Sequence, residues 1–394
     1  MSGLTMGVEE EFLLVDPGSG RAVPCAAAVL ARAGREPCPP GAELHPELSA
    51  TQVEATTGVC TDLAGLRDHL RAGRHRLAAA ARAEGVLLIS SGTPVVAAPP
   101  PPHSSGERFA EIVRRYAGVV DGYQTCGCHV HVGVPDAGTG VAVVNHLRPW
   151  LPTLLALSAN SPFGGGRDTG YASWRILEQS SFPGAGTPPW FPSAAAYRRE
   201  VDRLVECGTL VDSAMTFWLA RPSPHLPTVE VRAADAAATA DEALLQAALV
   251  RGLVRTALDD LAAGREAPRV GDPVCAAAVW SAARYGLGGP GVHPLEEHRV
   301  PAVRLVAELV DRVRPALEEA GDLAPASTLL AGALRRGTGA DRQRRAAAGA
   351  GGSRAVLGML AAQTLEGTGG HGPALAGYRI GAAANRPGGT GEER

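Results

Sequence analysis

The chain of 394 residues contains no lysine, since every one of the 37 residues counted as lysine or arginine is an arginine. A Walker A phosphate loop, a protein-kinase site and a pyridoxal phosphate Schiff base each require a lysine, so the sequence excludes all three. Any phosphate group must therefore be held by arginine side chains, backbone N–H groups or metal ions.

Several other features are scarce or missing. Aromatic residues make up only 4% of the chain, no apolar run reaches transmembrane length, and the N-terminus lacks the basic-then-apolar order of a signal peptide. The seven cysteines are odd in number and lack the spacing of a disulfide framework, which favours a reduced, cytoplasmic protein. The net charge of −3 gives no reason to expect a nucleic acid or an anionic membrane as a partner.

An acidic stretch close to the N-terminus is the most informative part of the sequence. Residues 7–16 contain a Phe-Leu-Leu-Val run before an Asp-Pro-Gly turn, which predicts a β-strand. Side chains alternate along a strand, so Glu9 and Glu11 share one face. Two carboxylates about 7 Å apart repel unless a cation or a base lies between them. The alternative is an edge strand whose charges are solvated.

Three later segments repeat the same alternation of polar and apolar residues, at 51–56, 126–133 and 228–233. Such strands bury their apolar faces and together present a floor of carboxylate, imidazole and guanidinium groups. The polar faces carry Glu54, His129, His131, Glu230 and Arg232.

Strands scattered among helices predict an α+β fold with a mainly antiparallel sheet flanked by helices. We expect one catalytic domain over residues 1–377 and a disordered tail over residues 378–394. A helix over residues 63–84 has a leucine stripe that we expect to be buried, with its arginines outside. Residues 141–159 predict one helix bent by two prolines. Residues 158–192 form the longest irregular region, and its many aromatic residues favour an ordered loop.

The polar floor suits metal ions. Carboxylates with one or two imidazoles are ligands for Mg²⁺ or Mn²⁺, whereas zinc would need only His129, His131 and one glutamate. Hard cations on such a floor typically hold a polyphosphate, and Arg232 beside Glu230 is placed to neutralise a transferring phosphoryl group. From the residues alone, we therefore predict phosphoryl transfer from a metal-bound nucleotide such as ATP.

Six sequence blocks, together with Ala340-Asp341-Arg342-Gln343-Arg344, resemble a known family. They are Gly7-Val8-Glu9-Glu10-Glu11-Phe12, Gln52-Val53-Glu54, Cys126-Gly127-Cys128-His129-Val130-His131-Val132-Gly133, Ser158-Ala159-Asn160-Ser161-Pro162-Phe163, Gly166-Arg167-Asp168-Thr169-Gly170-Tyr171-Ala172-Ser173-Trp174-Arg175 and Thr228-Val229-Glu230-Val231-Arg232-Ala233-Ala234-Asp235. The chain resembles the carboxylate–amine ligases of the glutamate–cysteine ligase type 2 (YbdK-type) family. The resemblance covers about residues 4–366.

This resemblance implies a fold like the catalytic domain of glutamine synthetase and the guanidino kinases. It implies that ATP phosphorylates a substrate carboxylate and that an amine then attacks the acyl phosphate to form an amide. It also implies a catalytic Arg232 at the γ-phosphate and a Glu230 that is both catalytic and a metal ligand. The implied ligands of Mg²⁺, with Mn²⁺ as an alternative ion, are Glu9, Glu11, Glu54, His129 and Glu230.

Other polar residues of these blocks are candidates for binding substrate or nucleotide. His131 shares the face of His129 and could instead form a hydrogen bond to a carboxylate that ligates the metal. For the arginines, loop-anchoring salt bridges or a solvated surface position are the alternatives. The candidates are His131, Arg167, Arg175, Arg342 and Arg344.

The segment directly after Arg175 departs from the family pattern. Gly164 stands where the family commonly has a tryptophan, so we expect open space there, and Ile176 with Leu177 would make the substrate wall more apolar. These changes favour substrates other than glutamate and cysteine. The alternative is drift in a loop that touches no substrate.

The sequence therefore predicts an ATP- and Mg²⁺-dependent ligase that joins a small-molecule carboxylate to an amine. We expect it to be cytoplasmic and homo-oligomeric. We also expect Glu230→Gln to leave the fold intact, because it would relieve repulsion on a charged face. The alternatives are an amide ligase of a specialised biosynthetic pathway with another acid and amine, and a metal- or nucleotide-binding homologue without turnover.

Overall fold

A computed structural model describes residues 4–368 and shows a sheet of seven strands surrounded by helices. The predicted tail at 378–394 lies outside the described residues, and the domain limits 1–377 stay a prediction. The strands are β1 Met6–Val15, β2 Glu43–Pro46, β3 Gln52–Thr56, β4 Leu87–Ile89, β5 Gly127–Gly133, β6 Phe163–Gly164, β7 Arg167–Asp168, β8 Ala185–Gly186, β9 Phe217–Trp218, β10 Ala220–Pro222, β11 Thr228–Asp235, β12 Pro290–His293 and β13 His298–Pro301.

The helices surround the sheet, and the helix predicted over residues 63–84 is present as α2. They are α1 Ala26–Ala33, α2 Leu63–Ala83, α3 Glu107–Tyr116, α4 Ala137–Leu147, α5 Leu151–Ser158, α6 Trp174–Gln179, α7 Ala194–Glu206, α8 Ala240–Ala262, α9 Asp272–Tyr285, α10 Ala302–Glu319, α11 Leu323–Arg336, α12 Gly339–Ala347 and α13 Gly352–Thr364. Within residues 4–368, no helix combines the length and apolarity needed to cross a bilayer.

The main sheet has the strand order β10-β11-β5-β1-β3-β2, and β4 pairs with the C-terminal end of β1. Every pairing in this sheet is antiparallel, so the predicted fold class is confirmed. The strand β1 lies in the middle because it can pair on both edges and bury its apolar side chains. Val8 on β1, Val130 on β5 and Leu244 on α8 belong to one buried cluster on the apolar side of the sheet.

One local prediction was wrong, and a second missed short regular elements. The single bent helix predicted at 141–159 is instead two helices, α4 and α5, because the chain breaks at Pro149 and restarts with Pro152 in the first turn of α5. The irregular region 158–192 is folded, as its aromatic content predicted, but it contains the β6–β7 hairpin and the short helix α6.

The arginines of α2 are not all outside, which is a further correction. Arg74 is fully buried, and its guanidinium donates to both carboxylate oxygens of Glu10 on the apolar side of β1. The remaining donors of Arg74 reach the carbonyl oxygens of Ala237, Ala238 and Thr364. One side chain therefore joins β1, α2, the segment before α8 and the end of α13.

We predict that Arg74→Ala lowers the free energy of unfolding by about 3–5 kcal/mol, because it leaves the Glu10 carboxylate buried without a counter-charge. Urea denaturation at pH 7 measures this. The control is Arg32→Ala, which breaks the exposed ion pair with Glu84 and should cost less than about 1 kcal/mol. Equal losses in the two variants would contradict the anchoring role of Arg74.

Candidate metal and nucleotide site

The polar face of the sheet collects the side chains that the sequence singled out. The central strand β1 sets Glu9 opposite His129 of β5 and Glu11 opposite Glu54 of β3. On the other edge of β5, His131 lies opposite Glu230 of β11. Because neighbouring strands lie about 4.8 Å apart, cross-strand partners on one face come within reach of a shared ion.

A first cluster consists of Glu9, His131 and Glu230, whose ligand atoms all lie within 4.8 Å of one another. The Nε2 atom of His131 is 3.0 Å from Glu9 Oε1, but the geometry is not that of a hydrogen bond, so this buried nitrogen has no hydrogen-bond partner within residues 4–368. The other ring nitrogen, Nδ1, lies 3.0 Å from Thr228 Oγ1, which fixes the ring orientation.

A second cluster consists of Glu11, Glu47 and Glu54, also within 4.8 Å of one another. Burial and the charge of Glu11 raise the pKa of Glu47 to about 7. Burial and the neighbouring carboxylates raise the pKa of Glu54 well above its usual range. The raised pKa values of Glu47 and Glu54 therefore favour their protonated forms near neutral pH unless a cation replaces those protons.

His129 lies between the two clusters instead of belonging to either. Its Nδ1 is 3.2 Å from Glu9 Oε2 and 3.3 Å from Arg232 Nη1, and its Nε2 is 3.7 Å from Glu11 Oε1. This Nε2 is buried, and no residue in the described part of the chain forms a hydrogen bond with it. Burial and the charge of Arg232 lower the pKa of His129, which favours the neutral imidazole that a metal requires.

The space beside His129 depends on Gly127. A Cβ atom at Gly127 would lie 2.7 Å from His129 Nε2 and 2.5 Å from Arg175 Nη2, so a larger residue would clash with both groups. The N–H of Gly127 donates to Glu11 Oε2 at 2.6 Å, which also orients that carboxylate. Only a residue without a side chain allows these groups to meet.

The two clusters fit hard divalent cations. Mg²⁺ and Mn²⁺ prefer carboxylate oxygens and accept an imidazole; the first cluster supplies two carboxylates with an imidazole, and the second supplies three carboxylates. The Nε2 atoms of His129 and His131 make no hydrogen bond to any described residue, so their lone pairs are available to a bound metal ion. Of the predicted metal ligands, the structure brings Glu9 and Glu230 together with His131, and Glu11 and Glu54 together with Glu47. It leaves His129 between the clusters.

Glu230 lies between two arginines, which corrects the expectation that its removal would relieve repulsion. Arg221 donates to Glu230 Oε2 at 2.8 Å, and Arg232 donates to Glu230 Oε1. Burial raises the pKa of Glu230, but the charges of Arg232 and Arg221 outweigh burial, so the pKa lies below its usual range. The Glu230 carboxylate is therefore charged and held in place from two sides.

A cavity of about 580 Å³, here called the site cavity, opens over this face. Its walls include Glu9, Glu11, Glu47, Glu54 and Arg232. A second cavity of about 360 Å³ lies on the other side of the first cluster, where His131 and Thr228 line it. Glu9 and His45 line both cavities, so the two spaces meet at the carboxylate face.

The other predicted binding arginines do not line either of these cavities in the described part of the chain. Arg167 is exposed on β7. Arg342 pairs with Glu242 at 2.8 Å, and Arg344 binds both carboxylate oxygens of Asp168. These contacts match the alternative of structural salt bridges.

Arg175 is fully buried next to Gly127. Its Nη2 donates to the carbonyl oxygen of Arg232 at 3.2 Å, and its Nη1 is 3.8 Å from Asp235 Oδ1. Asp235 also accepts hydrogen bonds from Ser161 and Ser173, so this network attaches the loop before α6 to β11. Arg175 therefore helps to hold the backbone of Arg232 in place and does not itself line the site cavity.

The prediction of open space at Gly164 was wrong. A Cβ atom at this residue would lie 2.6 Å from the ring of Trp174, so Trp174 fills the space that the missing family tryptophan was expected to leave. Ile176 and Leu177 line a different cavity, lined by apolar residues of α6 and α9, and not the site cavity.

Two residues of the site were missed in the sequence. Glu47 follows β2, and residues 43–47 alternate Glu, Leu, His, Pro and Glu in the same pattern as the other strands. That alternation could have identified Glu47. Arg221 lies on β10, next to Pro222, and no local pattern distinguishes it from other arginines.

The chain matches known proteins over almost its whole length. A sequence profile described as "Glutamate-cysteine ligase family 2 (GCS2)" matches residues 5–358. A protein of Saccharopolyspora erythraea named "Putative glutamate--cysteine ligase 2-2" is 60% identical over 366 residues, which are 93% of this chain and 93% of that protein. A protein of Nocardia farcinica named "Putative glutamate--cysteine ligase 2-1" is 44% identical over 93% of this chain and 95% of that protein.

Two solved structures share the fold at low sequence identity. A bifunctional glutathione synthetase from Pasteurella multocida has a TM-score of 0.67 at 15% identity, over 92% of this chain and 52% of that chain. A glutamate–cysteine ligase from Francisella tularensis, solved in complex with AMP, has a TM-score of 0.65 at 12% identity, over 97% and 91% of the two chains. The profile match and the close relatives decide the assignment: the chain belongs to glutamate–cysteine ligase family 2.

Proposed function

We propose that this protein is an ATP-dependent carboxylate–amine ligase that forms an amide bond through an acyl phosphate. The observation that carries the proposal is a pair of clusters near Arg232, one of two carboxylates with an imidazole and one of three carboxylates, beside two neighbouring cavities. The family, and the names of its members as glutamate–cysteine ligases, support a ligase. The AMP complex of the similarly folded Francisella tularensis protein supports the use of a nucleotide.

The proposed reaction has two steps. An oxygen of the substrate carboxylate attacks the γ-phosphorus of ATP, the bond to the β,γ-bridging oxygen breaks, and ADP leaves. The amine nitrogen then attacks the carbonyl carbon, phosphate leaves, and the amine gives up a proton. A carboxylate is a poor electrophile until its oxygen becomes part of a phosphate leaving group, which explains the need for ATP.

The reaction brings two anions together, the substrate carboxylate and the γ-phosphate of ATP, and residues of this chain offset their repulsion. Divalent cations bound to the two clusters would neutralise the phosphate charge and hold the polyphosphate. Arg232 supplies a fixed positive charge beside them: burial lowers its pKa, but the charges of Glu230, Glu11 and Glu9 outweigh burial and raise it. The Glu230 carboxylate and His129 orient the guanidinium, so the charge is in place before the phosphoryl group moves.

The two cavities that meet at Glu9 give separate space to the nucleotide and to the acid with its amine. The partners proposed here are therefore small carboxylate and amine molecules. A cytoplasmic location and a homo-oligomeric state stay predictions.

Turnover should yield ADP and phosphate, and not AMP and pyrophosphate, because the two clusters and Arg232 suit γ-phosphoryl transfer. The assay incubates the protein with ATP and Mg²⁺ against arrayed acids and amines and separates the nucleotides by chromatography. AMP as the main product would exclude the acyl phosphate. Metal and ATP binding without any nucleotide product would favour the homologue without turnover.

Glu54→Gln should reduce turnover at least about 100-fold while leaving the free energy of unfolding unchanged or higher without metal, because it removes one of three clustered carboxylates. Glu230→Gln should also abolish turnover but should lower the free energy of unfolding, by about 3–5 kcal/mol, because Arg221 and Arg232 lose their partner. Urea denaturation in EDTA measures both stabilities. A stable Glu230→Gln variant, or an active Glu54→Gln variant at saturating Mg²⁺, would contradict the site described here.

Arg232→Lys should reduce turnover about 10³-fold, because an ammonium group cannot supply the planar fork that contacts Glu230 and a phosphate together. Steady-state ADP release measures the loss. Arg167→Lys, at an exposed position on β7, is the matched control and should retain wild-type turnover. Similar activity in both arginine variants would remove Arg232 from the reaction.

Glutamate and cysteine should be a poor substrate pair, with kcat/KM below the ordinary enzyme range of about 10⁴ M⁻¹s⁻¹. The reason is the departure from the family pattern after Arg175, where Ile176 and Leu177 line an apolar cavity next to the site cavity. The alternative is drift in a loop without contact to substrate. A rate for this pair at or above that range would support the alternative and the plain family activity.

A further inference from the structure

A third cavity lies beside the site cavity, and the reaction steps described above do not use it. This cavity, here called the side cavity, has a volume of about 570 Å³, a size typical of small-molecule pockets. It lies between α6, α9 and the strands β8 and β9 with the residues that follow them. Its walls include Ile176, Leu177, Phe182, Trp218, Leu219 and Val279.

The side cavity is built for an uncharged group. The only charged residue among its walls in the described part of the chain is Asp272, and Arg148 donates to that carboxylate at 2.6 Å. A carboxylate or phosphate would therefore find no free cation there. Thr187 Oγ1 is a buried polar atom of the wall that has no hydrogen-bond partner among residues 4–368. The mainly apolar walls thus suit an aliphatic or aromatic group with few hydrogen-bonding atoms.

The side cavity and the site cavity lie next to each other. Gln179, at the end of α6, lines both cavities. Phe182 lines the side cavity and stacks on Phe217, which lines the site cavity, with ring centroids 4.4 Å apart and planes 22° apart. The apolar space therefore borders the space in which the substrates would react, and Gln179 faces both.

We infer that the side cavity receives an apolar group of one of the two substrates, so that the natural acid or amine carries an aliphatic or aromatic chain. This inference rests on the proposed ligase function and adds the chemical class of the substrate. The chain would extend from the reacting end at the carboxylate face, past Gln179, and into the space between α6 and α9. The acid and the amine are both candidates for carrying this group, and a test with matched ligands distinguishes them.

Calorimetric titration tests the inference without turnover. The full-length chain, with Mg²⁺ and a non-hydrolysable ATP analogue, is titrated with ethylamine against 2-phenylethylamine and with acetate against 3-phenylpropanoate. In one of the two pairs the phenyl member should bind at least about tenfold more tightly, because the ring leaves water for an apolar pocket. The pair that shows the preference identifies the substrate with the apolar group.

Two variants on α9 link this preference to the side cavity. Val279→Phe fills its interior, and Ala276→Phe fills it from an exposed position that carries little risk for folding. Both should abolish the tenfold preference. Ala277→Phe adds the same ring at an exposed neighbouring position outside the cavity and should retain the preference. No preference in the wild type, or a preference that survives both filling variants, would overturn the inference.

ADP release separates this inference from the proposed function. If small acids and amines support ADP release but the phenyl ligands gain nothing, the ligase function stands and the side cavity has no part in it. If the phenyl ligands bind in the side cavity but no acid and amine support ADP release, the ligase function fails instead. Both results are distinguishable from the expected one, in which the filling variants lower kcat/KM for the phenyl substrate at least about tenfold and leave small substrates unchanged.

Discussion

Repulsion among five carboxylates on one face of a sheet is the constraint on which the rest of the site depends. Two of them have partners within the protein: Glu9 lies beside two imidazoles, and Glu230 lies between two arginines. The other three lie close together, and burial together with their mutual repulsion raises the pKa values of Glu47 and Glu54. Such an arrangement costs free energy in the absence of cations.

The opposite face of the same strand supplies the stability that the polar face lacks. Glu10 alternates with Glu9 and Glu11, so it points to the apolar side, where Arg74 binds it. Arg74 also holds carbonyl groups from two distant segments, which fixes β1 against the helices behind it. Three consecutive glutamates therefore have two different roles, and strand alternation alone separates them.

Much of the site could be predicted from this alternation, since it placed Glu9, Glu11, Glu54 and Glu230 on one face. Which of His129 and His131 joins a cluster could not be predicted, because cross-strand register depends on turns and packing. Arg74 was misplaced although it lies four residues after Leu70 and three before Leu77, on the buried stripe of α2. The usual preference of arginine for the surface predicts an exposed Arg74, whereas the helical spacing predicts the buried position that the structure shows. Glu47 was missed because β2 is short and contains a proline.

Two cation positions on one carboxylate face are the central claim, and anomalous diffraction tests it most directly. Crystals grown with saturating Mn²⁺ and an ATP analogue would locate each ion without reference to activity. The structure predicts separate peaks at the cluster of Glu9, His131 and Glu230 and at the cluster of Glu11, Glu47 and Glu54. Peaks at neither cluster, with nucleotide present in the crystals, would contradict it.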